Sequence, residues 1–224
     1  MKKVFIVIAA YNEQEQIGKV VEGLRKEGYS NIVVVDDGST DNTTKIAGKG
    51  ATVIRHVINM GQGAALQTGI DFAVEHGADI VVTFDADGQH QAKDIKKLLR
   101  PILNGEADVT LGSRFLSVHS DMPLLRRLFL KIGVVVLLVM YGIRLTDSHN
   151  GLRAFSREAA EKIEIRCNRM DHASEIPEQI HKKKLRYQEV PVSIKYTEYS
   201  LKHGQKSSDA FKIFCRMVLR KLMR

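Results

Sequence analysis

The chain has 224 residues, 44% hydrophobic and 27% charged, a composition that fits one soluble globular domain with a sizeable core. Aromatics are only 6% with no Trp, which speaks against stacking platforms for nucleic acid; Cys167 and Cys215 make neither a disulfide framework nor a zinc spacing and fit a reducing compartment. The net charge of +8 is concentrated: residues 182–224 carry twelve Lys/Arg against three Asp/Glu, while the rest of the chain is close to neutral. In chain order, residues 4–10 read as a continuous apolar strand, and 13–27 as a helix with Ile17, Val20, Val21 and Leu24 on one face. Residues 32–35 form the next strand, which stops in Asp36-Asp37-Gly38-Ser39. Thr40 or Asp41 then caps a helix running to about Gly48. A short strand at 52–54 precedes a helix from Gly61 to His76, and a strand at 80–84 runs into Asp85-Ala86-Asp87-Gly88-Gln89-His90. A helix at 94–103 and a strand at 109–111 complete the first half.

Beyond Arg114, residues 123–143 read as one or two helices that begin basic (Arg126, Arg127, Lys131) and turn strongly apolar. Their longest apolar run, 132–143, has twelve residues, short of the about 20 that a spanning helix needs. The start of the chain does not read as a signal peptide. Residues 151–155 read as a strand, 170–183 as a helix, 187–194 as a strand and 210–224 as a basic amphipathic helix. Short apolar strands alternating with helices predict an α/β fold with a mostly parallel sheet sandwiched by helices. Residues 1–206 are assigned to one catalytic domain and 207–224 to the C-terminal helix.

In open α/β sheets, ligands bind beyond the carboxyl ends of the strands. Three strands end in polar clusters: Tyr11-Asn12-Glu13, Asp36 to Ser39, and Asp85 to His90. Asp85 and Asp87 can hold a hard cation whose shell is completed by phosphates; a solvated turn is the alternative for an Asp-x-Asp met alone. An acid at Asp37 can hold a nucleoside through its base or ribose. Glu13 adds another acceptor, and Tyr11 a ring face and a hydroxyl. The helix entry Asn59-Met60-Gly61-Gln62-Gly63-Ala64-Ala65 offers exposed N–H groups to an anion, with tight helix packing as the alternative.

These motifs, together with Gly112-Ser113-Arg114-Phe115, resemble glycosyltransferase family 2. Asp147 and Asn150-Gly151-Leu152-Arg153-Ala154-Phe155 resemble its subgroup of dolichyl-phosphate mannose synthase and bacterial polyprenyl-phosphate sugar transferases. The resemblance runs from Lys2 to about Ser207. It implies the nucleotide-sugar-binding glycosyltransferase A-type fold and an inverting transfer of a hexose from a UDP- or GDP-sugar, with Mg²⁺ or Mn²⁺. By resemblance, Tyr11, Glu13 and Asp37 contact the nucleoside, Asp85 and Asp87 hold metal and diphosphate, and Gln89 is an auxiliary ligand. Arg114 and Arg127 face the donor diphosphate or the acceptor phosphate, with further phosphate contacts from Arg153 and Lys206.

The chain departs from the family at Ala9, where Pro is common, and over Tyr196 to Lys202. Asp171 and Glu175 fall where relatives with hydroxyl acceptors carry a general base; a favourably charged helix start is the other reading. The acceptor is thus a polyprenyl phosphate or, alternatively, a glycan hydroxyl. A polyprenyl phosphate implies work at the membrane surface, with residues 126–143 and 210–224 as the contacts, at the cytoplasmic, inner face. A sugar nucleotidyltransferase would carry a richer Gly/Arg/Lys loop after the first strand, and a non-catalytic binding protein leaves the acids at three strand ends unexplained. No nucleic-acid partner is expected.

Overall fold

The computed structural model describes residues 2–117, 124–147, 150–168 and 171–195, with the backbone alone at 124–130, 140 and 141. Seven strands form one sheet: β1 (Val4–Ala10), β2 (Asn31–Asp36), β3 (Thr52–Arg55), β4 (Ile80–Asp85), β5 (Val109–Ser113), β6 (Arg153–Ser156) and β7 (Tyr187–Pro191). Their order is β3-β2-β1-β4-β6-β5-β7. All neighbours run parallel except β6, which is antiparallel to both β4 and β5. The mostly parallel α/β sheet expected from the alternating pattern is the one observed.

The helices are α1 (Ile17–Lys26), α2 (Thr43–Ala47), α3 (Gln62–Glu75), α4 (Ile95–Leu103), α5 (Leu124–Tyr141), α6 (Arg157–Lys162) and α7 (His172–Lys182). They cover both faces, which is why the strands lack polar alternation. Along β1, Phe5 and Val7 join one apolar cluster with α3, α6 and α7, while Ile6 and Ile8 join a second with α1 and α4. Ile6 and Ile8 are fully buried, and each such side chain contributes about 1.5–3 kcal/mol.

The observed boundaries differ from the predicted ones for local reasons. The first helix begins at Ile17 rather than Glu13, because the Glu13 carbonyl accepts the amides of both Gln16 and Ile17 in a preceding turn. Helix α2 starts at Thr43, whose amide is held by the Asp41 carboxylate at 2.9 Å. The last strand stops at Pro191, which has no N–H to offer the ladder, and Ile194 makes only an isolated bridge to His90. Helix α6 was not predicted: its six residues are too short for a periodic signal, and Ser156 caps it through the Ala159 amide. Among the described residues no helix is long and apolar enough to cross a membrane. The expectations at Tyr196 to Lys202, at Lys206 and for the 210–224 helix lie outside the described residues, as does the side chain of Arg127.

One position fixes how α3 meets the rest of the domain. A Cβ added to Gly63 would lie 1.9 Å from the Cys167 carbonyl oxygen, and the Gly63 amide donates to the Asn168 carbonyl at 2.8 Å. The obstacle is backbone, so one chain must shift. Gly63→Ala is therefore expected to cost about 1–3 kcal/mol, read as a lowered urea midpoint at unchanged slope. An unchanged midpoint would show that the 167–168 segment yields without cost.

Candidate active site

The carboxyl ends of β1, β2, β4 and β5 lie along one edge of the sheet, and β6, running the other way, brings its first residue to the same edge. Registers make this concrete: Ala9 pairs with Asp85, Ala10 with Asp36, and Arg153 with both Thr83 and Leu111. Two loops close the β1–β2 side. The Asn12 side-chain oxygen accepts the Thr40 amide at 2.9 Å, while the Asn12 amide donates to Ser39 Oγ at 2.9 Å and the Glu13 amide to Thr43 Oγ1 at 2.8 Å. Tyr11 and Glu13 therefore stand on a backbone tied to the loop after β2. Tyr11 is 48% exposed.

Asp36 and Asp37 are both buried. The Asp36 carboxylate accepts the Ser39 amide and the Thr44 hydroxyl. Asp37 Oδ1 meets the Met60 amide at 2.9 Å and His56 Nδ1 at 2.8 Å, and its Oδ2 accepts the Gly61 amide at 2.7 Å. His56 is braced in turn by Thr68 Oγ1 at 3.0 Å. The N–H groups at the Gly-rich helix entry thus bind a carboxylate of the chain itself, and the packing of Gly63 accounts for its second glycine.

Asp85 ends β4 with its side chain 30% exposed, and its Oδ2 receives His90 Nε2 at 2.7 Å. Gln62 Nε2 reaches Oδ1 at 3.5 Å. Burial by itself would raise the Asp85 carboxyl, but His90, Arg153 and His172 outweigh it and hold the group below the usual carboxylate range. Asp87, two residues on, folds the loop back by accepting the Gln89 amide at 3.0 Å, and the Gln89 carbonyl ties the loop to Lys195. Among the described residues no three His, Cys, Asp or Glu side chains converge on one metal position. The carboxylates at this strand end, Asp85 and Asp87, would fit a hard cation that takes one or two protein carboxylates and fills its shell with phosphate and water.

Two buried arginines lie along the same edge. Arg153 is 3% exposed; desolvation pushes it down to about 10, opposed by Asp85 and Asp147, so it stays cationic at neutral pH. Arg114, 5% exposed, gives Nε to Asp147 Oδ2 at 2.6 Å and its amide to the same oxygen at 3.1 Å. Asp85, Arg153, Asp147 and Arg114 thus form one alternating chain of charge across the β4–β6–β5 edge.

Asp171 and Glu175 sit differently. Glu175 is buried at the start of α7, and its Oε2 accepts the amides of Arg166 at 3.1 Å and Cys167 at 2.8 Å. The Asp171 carbonyl receives Ser174 and Glu175 amides at the first turn of that helix. The sequence did not single out His56, His172 or Gly151, nor give roles to His90 and Asp147. The His90 and Asp147 contacts involve residues inside recognised motifs; those of His56 and His172 carry no local signal.

Residues 5–164 match the family described as Glycosyl transferase family 2. The chain is 38% identical to a UDP-N-acetylglucosamine–dolichyl-phosphate N-acetylglucosaminyltransferase of Methanococcus voltae, over 99% of this chain and 97% of that protein. It is 30% identical to the polyprenol monophosphomannose synthase of Mycolicibacterium smegmatis, over 73% of this chain and 65% of that one. In three dimensions it is similar to glucosyl-3-phosphoglycerate synthase from Mycobacterium tuberculosis, crystallised with Mn²⁺, UDP and glucosyl-3-phosphoglycerate. That likeness has a TM-score of 0.71 at 19% identity, covers 99% of this chain and 79% of that one, and is one of fold. A matched pattern over most of the chain and a relative aligned end to end agree, and the chain belongs to glycosyltransferase family 2.

Proposed function

We propose that this glycosyltransferase moves a hexose from a nucleotide sugar to a polyprenyl phosphate, with inversion at the anomeric carbon. One observation carries the reading: the carboxylate pair Asp85/Asp87 lies at the same sheet edge as two buried arginines, Arg114 and Arg153, so the site has donors for both a cation and phosphate oxygens. The family relatives named for dolichyl phosphate and polyprenol acceptors support the acceptor class. The UDP-linked donor of the relative aligned end to end makes a UDP-sugar, UDP-N-acetylglucosamine first, the preferred donor over GDP-mannose.

In the proposed reaction an oxygen of the acceptor phosphate attacks the anomeric carbon as the bond to the nucleoside diphosphate breaks, and the pair of electrons leaves on that diphosphate. Mg²⁺ or Mn²⁺ bound by Asp87 and Asp85, with Gln89 as auxiliary, would supply Lewis-acid stabilisation of the leaving group. Arg114 and Arg153 add fixed positive charge in a partly dehydrated setting, where it is worth more than in water. Tyr11, Glu13 and Asp37 are the proposed contacts of the nucleoside, and Arg127 and Lys206 are proposed for further phosphate contacts. An acceptor phosphate is already anionic at neutral pH, so no side chain need remove its proton.

The exposed apolar side chains of α5, Ile132, Val135, Leu138 and Val139, support work at a membrane surface, at its cytoplasmic face, where such a helix can lie in the headgroup plane. The basic 210–224 segment is proposed as the second contact there.

A glycan hydroxyl acceptor would need a base, and Asp171 or Glu175 would have to serve. With the Glu175 carboxylate engaged by two main-chain amides, the phosphate reading is favoured. The test pairs UDP-N-acetylglucosamine, UDP-glucose and GDP-mannose with dolichyl phosphate, undecaprenyl phosphate and soluble saccharides, in Mg²⁺ or Mn²⁺, with products weighed by mass spectrometry. Sugar on lipid phosphate is expected, with Glu175→Gln retaining activity within about threefold, as for a residue outside the proton transfer. Transfer only to saccharide hydroxyls, lost in Glu175→Gln, would overturn it.

A further inference from the structure

We infer that Glu189 is a positioning residue for Arg114, acting through Thr146 and Asp147; the inference rests on the phosphate-facing role proposed for Arg114. Glu189 sits on the edge strand β7, opposite Leu111 of β5. Its two carboxylate oxygens collect a loop from another part of the chain. Oε1 accepts the Thr146 amide at 2.9 Å, the Thr146 hydroxyl at 3.0 Å and the Asp147 amide at 3.2 Å, and Oε2 accepts the Thr146 amide at 2.8 Å. The loop held this way carries Asp147, whose Oδ2 takes Arg114 Nε at 2.6 Å.

A second strand of the same network reaches Arg114 from its own side. Thr146 Oγ1 lies 2.6 Å from Ser113 Oγ, and Ser113 Oγ accepts the Phe115 amide at 3.2 Å. An ionised carboxylate only accepts, which fixes the direction of every bond: Phe115 N–H to Ser113, Ser113 O–H to Thr146, Thr146 O–H to Glu189. Arg114 is thereby bracketed by Ser113 and Phe115 on its own backbone and by Asp147 on its side chain, and both brackets end at Glu189. Burial raises the Glu189 carboxyl against the pull of those donors.

The test uses the full-length protein and two readouts. The first is the ¹⁵N resonance of Arg114 Nε–H, which needs no substrate: Glu189→Ala is expected to broaden it or speed its exchange, and Glu189→Gln, which keeps one accepting oxygen, to leave it largely in place. The second is UDP release from UDP-N-acetylglucosamine, with dolichyl phosphate present, in a double-mutant cycle. Glu189→Ala is expected to lower kcat on the order of 10-fold with donor KM nearly unchanged, since misplacement by about 1 Å can cost as much. In the Arg114→Ala background the same change should cost less than about twofold, because its route is already gone.

An Arg114 signal unmoved by Glu189→Ala, or a loss that is as large with Arg114 absent, would overturn the inference. If Glu189→Ala does not fold, Thr146→Val, which removes the hydroxyl between Ser113 and Glu189, is expected to broaden the Arg114 signal, and a wild-type resonance and kcat in that variant would overturn the inference as well. UDP release without any sugar on lipid defeats the acceptor reading but leaves this inference standing.

Discussion

Replacing Asp87 with alanine is expected to abolish turnover while leaving the domain folded. If the side chain holds the cation that neutralises the departing diphosphate, its removal should lower kcat by about 100- to 1000-fold, the range seen when one preorganised stabiliser of developing charge is lost. The folded state gives up much less. Asp87 is partly exposed, follows the strand rather than packing within it, and makes a local bond to the Gln89 amide; losing such a bond costs about 0.5–1.5 kcal/mol. Asp87→Asn separates the two contributions, because an amide oxygen can still turn the loop but carries no charge. The measurement is UDP release beside a thermal melt, with Mn²⁺ binding in the presence of UDP followed by calorimetry. Full turnover in either variant, at an unchanged metal affinity, would remove Asp87 from the centre of the reaction.

The acids at this edge were legible because they interrupt something regular. Strands β1, β2 and β4 are buried on both faces, so each reads as an apolar run, broken only by Thr83 in β4, and the carboxylates that follow stand out against it. The same physics made β6 legible as a strand but not in its direction. Val82 pairs with Ala154 and Thr110 with Ala154, and nothing in the four residues Arg153-Ala154-Phe155-Ser156 states that they run against their neighbours. That reversal is what delivers Arg153 to the carboxyl end of β4, so the part of the site built on it needed the structure.

Partners distant in the chain were equally hidden. Asp37 is read from its motif as an acceptor for a nucleoside; its oxygens also meet His56 and the amides of Met60 and Gly61, the last two from a helix entry whose own pattern suggested an anion site. Both halves of that interaction were visible as motifs; that they satisfy each other depends on β3 and its following loop folding back over β2. Arg114 and Asp147 are a second case, 33 positions apart, each in a recognised motif and linked only by how the chain passes through α5. Glu175 shows the converse: its acidic position suggested chemistry, and the fold gives it the amides of residues 166 and 167.

Gly151→Ala is expected to impair the site more than the fold, and the reason is which atoms stand in the way. A Cβ at position 151 would lie 2.3 Å from Asp85 Oδ2 and 2.4 Å from Oδ1. The three nearest atoms all belong to the Asp85 carboxyl group, so that group must move. Turning breaks its 2.7 Å bond to His90 Nε2 and moves it from where the proposed cation would meet it. The glycine cannot readily retreat, since its carbonyl accepts Thr83 Oγ1 from β4 at 2.7 Å. Displacing one of two carboxylates by an ångström or so should lower turnover on the order of 10- to 100-fold and weaken the apparent affinity for Mn²⁺, so that added metal restores part of the rate. Stability should fall by only about 1 kcal/mol, the low end of what one extra methyl costs in a packed place, because the obstacle is a side chain that is 30% exposed rather than main chain. Urea denaturation and a metal titration of UDP release read the two effects separately. Because the backbone of Gly63 is also tightly approached, the pair of alanine variants forms an internal contrast: Gly63→Ala meets a main-chain carbonyl and should lose stability with kcat preserved, whereas Gly151→Ala meets the Asp85 carboxylate and should do the reverse. Equal losses of stability in the two, with metal dependence unchanged in Gly151→Ala, would mean that Asp85 can move without consequence and is not a ligand.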